Sequence, residues 1–139
     1  MAEHRPTFGT SLSYRDRRAA LAWLERAFGF EPTLVITGAD GELGHAEMSF
    51  GSGYVIVAGE ASQWRRFSPQ TLGGQTTNAM VVRLQGGIDA HCERARAAGA
   101  VVQIEPQTQP YGDRTYQAMD PEGHVWMFAE AVIQEAADG

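Results

Sequence analysis

The sequence predicts an α+β chain of two tandem βαβββ modules, whose strands form a curved mixed sheet around a cup with the helices on its outer face. Three observations carry that prediction. The first is Tyr111 to Glu130, where strand-forming residues from Arg114 to Met119 and from His124 to Glu130 flank Asp120-Pro121-Glu122-Gly123, a Pro- and Gly-bearing reversal. The second is repetition. Gly53-Tyr-Val-Ile-Val-Ala-Gly-Glu60 set beside Gly123-His-Val-Trp-Met-Phe-Ala-Glu130 shares Gly, Val and Glu at an offset of 70, and Ala46-Glu-Met48 lies against Gln117-Ala-Met119 with a one-residue shift inside the turn. The third is that the same offset pairs Gly29 with Gly99, each closing a helical pattern. A period of this length marks two copies of one supersecondary unit.

Taken in order, Phe8 to Tyr14 alternates small or polar with apolar residues and reads as a strand. Asp16 can cap a helix whose stripe Ala20, Trp23, Leu24, Ala27, Phe28 follows the spacing of one buried face, and Gly29 stops it. A strand near Phe30 to Thr37, a turn at Gly38-Ala-Asp-Gly41, and a hairpin from His45 to Phe50 and Gly53 to Ala58 complete module one, about residues 7–60. The linker, about 61–74, carries Trp64 and Phe67 without a clear period. Module two, about 75–132, opens with Asn78 to Leu84. It continues with a helix striped by Ile88, Cys92, Ala95 and Ala98, a strand from Ala100 to Ile104, a two-proline loop from Glu105 to Gly112, and the second hairpin. The tail, 133–139, reads as polar and frayed, and the whole of 1–139 reads as one domain.

Composition narrows the functional classes. Hydrophobic residues make up 43% and charged residues 20%, and no apolar run approaches the length of a membrane span. The N-terminal Met-Ala-Glu-His-Arg-Pro lacks the apolar core of a secretory signal, so a cytoplasmic location is expected. A net charge of -6 without a basic run argues against a nucleic-acid partner. The single Cys92 has no intramolecular disulfide partner and sits where a small packing residue is needed.

The Tyr-Gly-Asp-Arg run at 111–114, the Asp-Pro-x-Gly-His-x-Trp turn at 120–126, Ala-Phe-Gly-Phe at 27–30 and Glu-Arg-Ala-Arg-Ala-Ala-Gly-Ala at 93–100 together resemble the vicinal oxygen chelate superfamily, and most of all its glyoxalase/bleomycin-resistance branch. The resemblance spans about Thr7 to Val132. It implies a metal in the cup of the enzymes of that superfamily, held by His, Gln or Glu on the first and last strands of each module. The matching positions here are Gly9 or Thr10, Val57, the Asn78 to Met80 region and Met127, and none carries a good ligand. No cofactor is therefore expected. His45 with Glu47, two apart on one strand, is the fallback pair for a metal or for acid–base work, against the alternative of a polar pair with Arg114 or Thr115 across the sheet. The remaining histidines read as a terminal His4, a helix-surface His91 and a strand-end His124.

If Met127 points inward, Val125 and Ala129 do too, while Trp126 and Phe128 face the helices; the same parity sends Val55 and Val57 inward in module one. Trp64, Phe67 and Tyr111 are rim candidates. Arg114 and Tyr116 could meet a ligand's polar group, or Arg114 could pair with Asp113, Asp120 or Glu47. The expected function is metal-free binding of a partly aromatic small organic molecule in an apolar cup. The alternatives are a metal-dependent lyase, isomerase or dioxygenase of the same superfamily, and a metal-free enzyme using Tyr111, Arg114 or Tyr116 as donors. The resemblance also implies a homodimer.

Overall fold

The structure, a computed structural model, describes residues 6–132. The readings of the first five residues and of the tail from 133 lie outside them. Strand β1 (Gly9–Tyr14), helix α1 (Arg17–Phe28) and strands β2 (Glu31–Thr37), β3 (Leu43–Phe50) and β4 (Gly53–Gly59) make the first unit. Strand β5 (Ala79–Leu84), helix α2 (Ile88–Ala97) and strands β6 (Val101–Thr108), β7 (Asp113–Met119) and β8 (Val125–Ala131) make the second. The eight strands divide into two four-stranded mixed sheets, ordered β1-β4-β3-β2 and β5-β8-β7-β6, in which only β1·β4 and β5·β8 run parallel. This is the α+β, twice-βαβββ class expected.

Local chemistry explains the helix ends. The Asp16 carboxylate accepts the Ala19 N–H at 3.0 Å, and Gly29 at φ 89 returns its N–H to the carbonyls of Leu24 and Glu25. The predicted stripe of α1 is the buried one. In α2, Ile88, Cys92 and Ala95 are buried, and burial raises the Cys92 thiol above its usual pKa, as suits a packing residue. Strand β6 runs four residues past its expected end and absorbs Pro106. It is an edge strand with register breaks on either side of Ile104, where a missing backbone donor disrupts no second ladder. The linker contains two single 3-10 turns, Ser62–Trp64 and Pro69–Leu72.

One core joins the two units. Phe28 of α1 lies 5.3 Å from Trp126 and 4.7 Å from Phe128, centroid to centroid, and Phe30 lies 5.3 Å from Trp126. Removing such a side chain from water stabilises by about 1.5–3 kcal/mol. Trp23 adds an N–H bond to the Ala98 carbonyl at 2.7 Å, tying α1 to the end of α2.

The register corrects the internal alignment. Glu47 pairs with Ile56 and Gln117 with Met127, while Ser11 pairs with Ile56 and Val81 with Met127. The strands before the hairpin turn therefore correspond at an offset of 70 and those after it at 71, because the module-two turn is one residue longer. The chance coincidence of Gly, Val and Glu favoured the other alignment. Ile56, not Val57, is the counterpart of Met127. Val57 and Val55 are buried in the core on the helix side, opposite to the parity expected.

Candidate functional site

The two hairpin turns treat the neighbouring unit differently. At Asp120–His124 the turn clamps the end of β1: the Asp120 carboxylate accepts the Tyr14 O–H at 2.6 Å, Glu122 accepts the backbone N–H groups of Arg15 and Asp16 at 2.7 and 2.9 Å, and His124 donates Nε2–H to the Ser13 carbonyl at 2.8 Å. The equivalent turn in module one reads Phe50-Gly51-Ser52-Gly53 and has no carboxylate to offer. There the units part. A groove of about 1250 Å³ opens between Phe50–Val55 with the start of β1 on one side and Asn78–Gly86 on the other. Phe8, Phe50 and Tyr54 line its open surface together with His91 and Arg94, and Phe28, Phe30 and Trp126 back it as buried core rings, 0%, 2% and 0% exposed. A smaller cavity of about 500 Å³ lies between Ser11–Ser13, the linker residues Arg65 to Leu72, and Gln75–Asn78.

None of the seven residues expected to bind a ligand lines the larger groove; Phe67 lines the smaller cavity. Met127 shares a face with its ladder neighbours Val81 and Gln117, opposite to the buried Trp126 and Phe128. Trp64 and Tyr111 are 72% and 70% exposed. Tyr116 and Arg114 lie elsewhere. By strand parity both belong to the helix side of β7, where Tyr116 is fully buried and Arg114 pairs with Asp89 on α2 at 3.0 Å and with Thr108 at 3.1 Å. None of the three partners anticipated for Arg114 is the observed one, because those carboxylates lie on other faces or are already committed. Val57 likewise touches no cavity.

His45 and Glu47 meet each other, not Arg114 or Thr115: Nε2 and Oε2 are 2.8 Å apart, with the side chains 41% and 12% exposed. Glu47 stands opposite Ile56 and Leu34, and its neighbours Ala46 and Met48 face the core, so the pair lies on the face turned away from the helices. His91 is no helix-surface residue. A carbonyl only accepts, so Nε2–H donates to the Phe28 carbonyl at 2.8 Å, and Nδ1 of the neutral ring accepts the Tyr116 O–H at 2.6 Å. Burial lowers the His91 pKa, with the Arg94 charge acting in the same direction; burial raises that of Tyr116. His124, expected at a strand end, is buried against Tyr14 with ring centroids 4.7 Å apart.

Phe50, Tyr54, His91 and Arg94 were not among the expected site residues, whereas Phe28 and Trp126, expected in the core, are buried there. The available signals were the Phe-Gly-Phe at 28–30 and the contrast between Phe50-Gly51-Ser52-Gly53 and Asp120-Pro121-Glu122-Gly123. Among the described residues no three His, Cys, Asp or Glu side chains converge, and Gly9, Thr10, Ile56, Val57 and Met127 offer no strong ligand, so these residues do not fit the metal that the wider fold family implies. No described helix is long and apolar enough to cross a membrane.

Residues 9–128 match the family model of the Glyoxalase/Bleomycin resistance protein/Dioxygenase superfamily. The fold is similar to that of TioX from Micromonospora sp. ML1, with 32% identity, 94% of this chain and 100% of that chain covered, and a TM-score of 0.73. It is also similar to TnmS3, an antibiotic binding protein from Streptomyces sp. CB03234, with 17% identity, 94% and 98% covered, and a TM-score of 0.69. An uncharacterized protein of Mycobacterium tuberculosis, Rv0887c, is 28% identical over 136 residues, covering 96% of this chain and 79% of that protein. With a family model over most of its length, the chain belongs to the glyoxalase/bleomycin-resistance/dioxygenase superfamily.

Proposed function

We infer that this protein binds a partly aromatic small organic molecule, a drug or secondary metabolite, without a metal. The observation that carries this reading is the groove of about 1250 Å³, whose accessible lining holds Phe8, Phe50 and Tyr54 against a buried layer of Phe28, Phe30 and Trp126. Its size suits an extended molecule, and aromatic walls hold flat rings through offset and edge contacts. A fold shared with an antibiotic binding protein supports the same direction. Met127, Tyr111, Trp64 and Phe67, none of which lines the groove, are proposed as further contacts on other surfaces of the chain.

A homodimer completes the site in this reading. Strands β1 and β5 each bond to one neighbour only, and Leu34, Val35, Ile36, Val81, Val101 and Ile104 are exposed apolar side chains on edge strands. The second reading, a metal-dependent lyase, isomerase or dioxygenase, rests on the His45–Glu47 pair alone. A thermal-shift panel of fused-ring aromatic natural products, run in a chelator, tests the first reading. Ligands that raise the melting temperature, with the rise lost in Phe50→Asp, are the expected result. A rise that appears only with added divalent metal supports the second reading instead.

A further inference from the structure

We propose that the groove selects planar aromatic molecules bearing an anionic group, a carboxylate or sulfonate, and that Arg94 receives the acid. The proposal rests on the binding reading above and adds the charge of the ligand to it. The chain is acidic overall, at -6, yet among the described residues no Asp or Glu lines the groove. Two arginines do. Arg83 is committed to Asp113 at 2.9 Å, whereas Arg94 is paired with no carboxylate among the described ion pairs.

Arg94 is also held in place. Its Nε donates to the Arg26 carbonyl at 2.9 Å and its Nη2 to the Glu25 carbonyl at 3.0 Å. These carbonyls are the negative end of α1, so the helix terminus that would repel an anion is already met by the guanidinium. The third nitrogen, Nη1, lies on the side of Gly29, 3.3 Å from where a Cβ at that position would stand; a side chain there would crowd the guanidinium beside Phe50. A fixed planar cation lining the same groove as Phe50 and Tyr54 matches a flat ring that carries an acid at its edge. His91, kept neutral by burial, adds no competing charge.

Two dyes that share one ring system test this: 1-anilinonaphthalene-8-sulfonate and N-phenyl-1-naphthylamine, which lacks the sulfonate. Fluorescence titrations on the full chain, with the melting temperature followed in parallel, are expected to give at least about tenfold tighter binding of the sulfonate, weakened by salt as a charge contact must be. Arg94→Gln removes that preference, bringing the two dyes to comparable affinity. Ser52→Asp, which places a carboxylate on the groove wall without touching Arg94, weakens the sulfonate selectively and serves where Arg94→Gln does not fold. Equal or tighter binding of the neutral dye overturns the charge assignment while leaving the binding reading intact. A sulfonate preference that survives both variants also overturns it, by placing the anion elsewhere. If neither dye binds or raises the melting temperature, the binding reading itself fails and the proposal falls with it.

Discussion

Tyr14 and Asp120, 106 residues apart in sequence, meet in a buried hydrogen bond of 2.6 Å that fastens the first strand of one module to the hairpin turn of the other. The same carboxylate accepts the Trp126 indole N–H at 3.1 Å and the backbone N–H groups of Glu122 and His124. Burial, reinforced by the Asp120 charge, pushes the Tyr14 pKa well up, so the phenol stays a donor across the working range. Tyr14→Phe removes one donor from a carboxylate with three others. Denaturant unfolding should show a loss of about 1–3 kcal/mol, and Asp120→Ala, which strands every donor in the cluster, should cost more.

His91 makes stability depend on pH in a defined sense. Its folded pKa is lowered, mainly by burial. Above about pH 6.5 the ring is neutral in both folded and unfolded chains; below that the unfolded chain takes up a proton that the folded one refuses, so stability falls as pH falls, until the lowered folded pKa is reached. His91→Gln, neutral at every pH, should flatten the stability–pH profile between about 6.5 and the acid limb. An unchanged profile would assign the acid sensitivity to other groups.

Gly9 sits against Tyr54. A Cβ added there would stand 2.4 Å from the Tyr54 ring and 2.7 Å from its backbone carbonyl oxygen. The ring could move; the carbonyl, in the β1·β4 ladder, cannot. Gly9→Ala should therefore cost about 1–3 kcal/mol, as overpacking does, and a neutral result by calorimetry would show that β1 is free to shift.

Much of the fold was legible because hydrophobic spacing, caps and glycines are local signals: the α1 stripe, Asp16 and Gly29 all act where they stand. The site was less legible because it depends on what adjoins what. Tyr116 and Arg114 carry side chains that suit a ligand, yet β7 turns both toward α2. Val57 was misplaced by one residue, since a single added residue in a turn inverts the face of every residue after it. The groove arises from missing carboxylates at Phe50–Gly53, a signal visible only once the opposite clamp is known.

Trp64→Ala and Tyr111→Ala should each weaken binding of an aromatic ligand several-fold without loss of stability, since both side chains are exposed. Equal affinity in both variants would confine the site to the groove. Met127→Glu alone should create no metal site, because no other strong donor converges with it.

The most direct test of metal-free binding is a calorimetric titration of chelator-treated, tag-free protein with an aromatic ligand found by thermal shift, alongside elemental analysis for Zn, Mn, Ni and Fe. Metal-free binding should be saturable and indifferent to added metal, with far less than one metal per chain. About one metal retained per chain, or binding that appears only on its addition, would contradict it and move attention to His45 and Glu47.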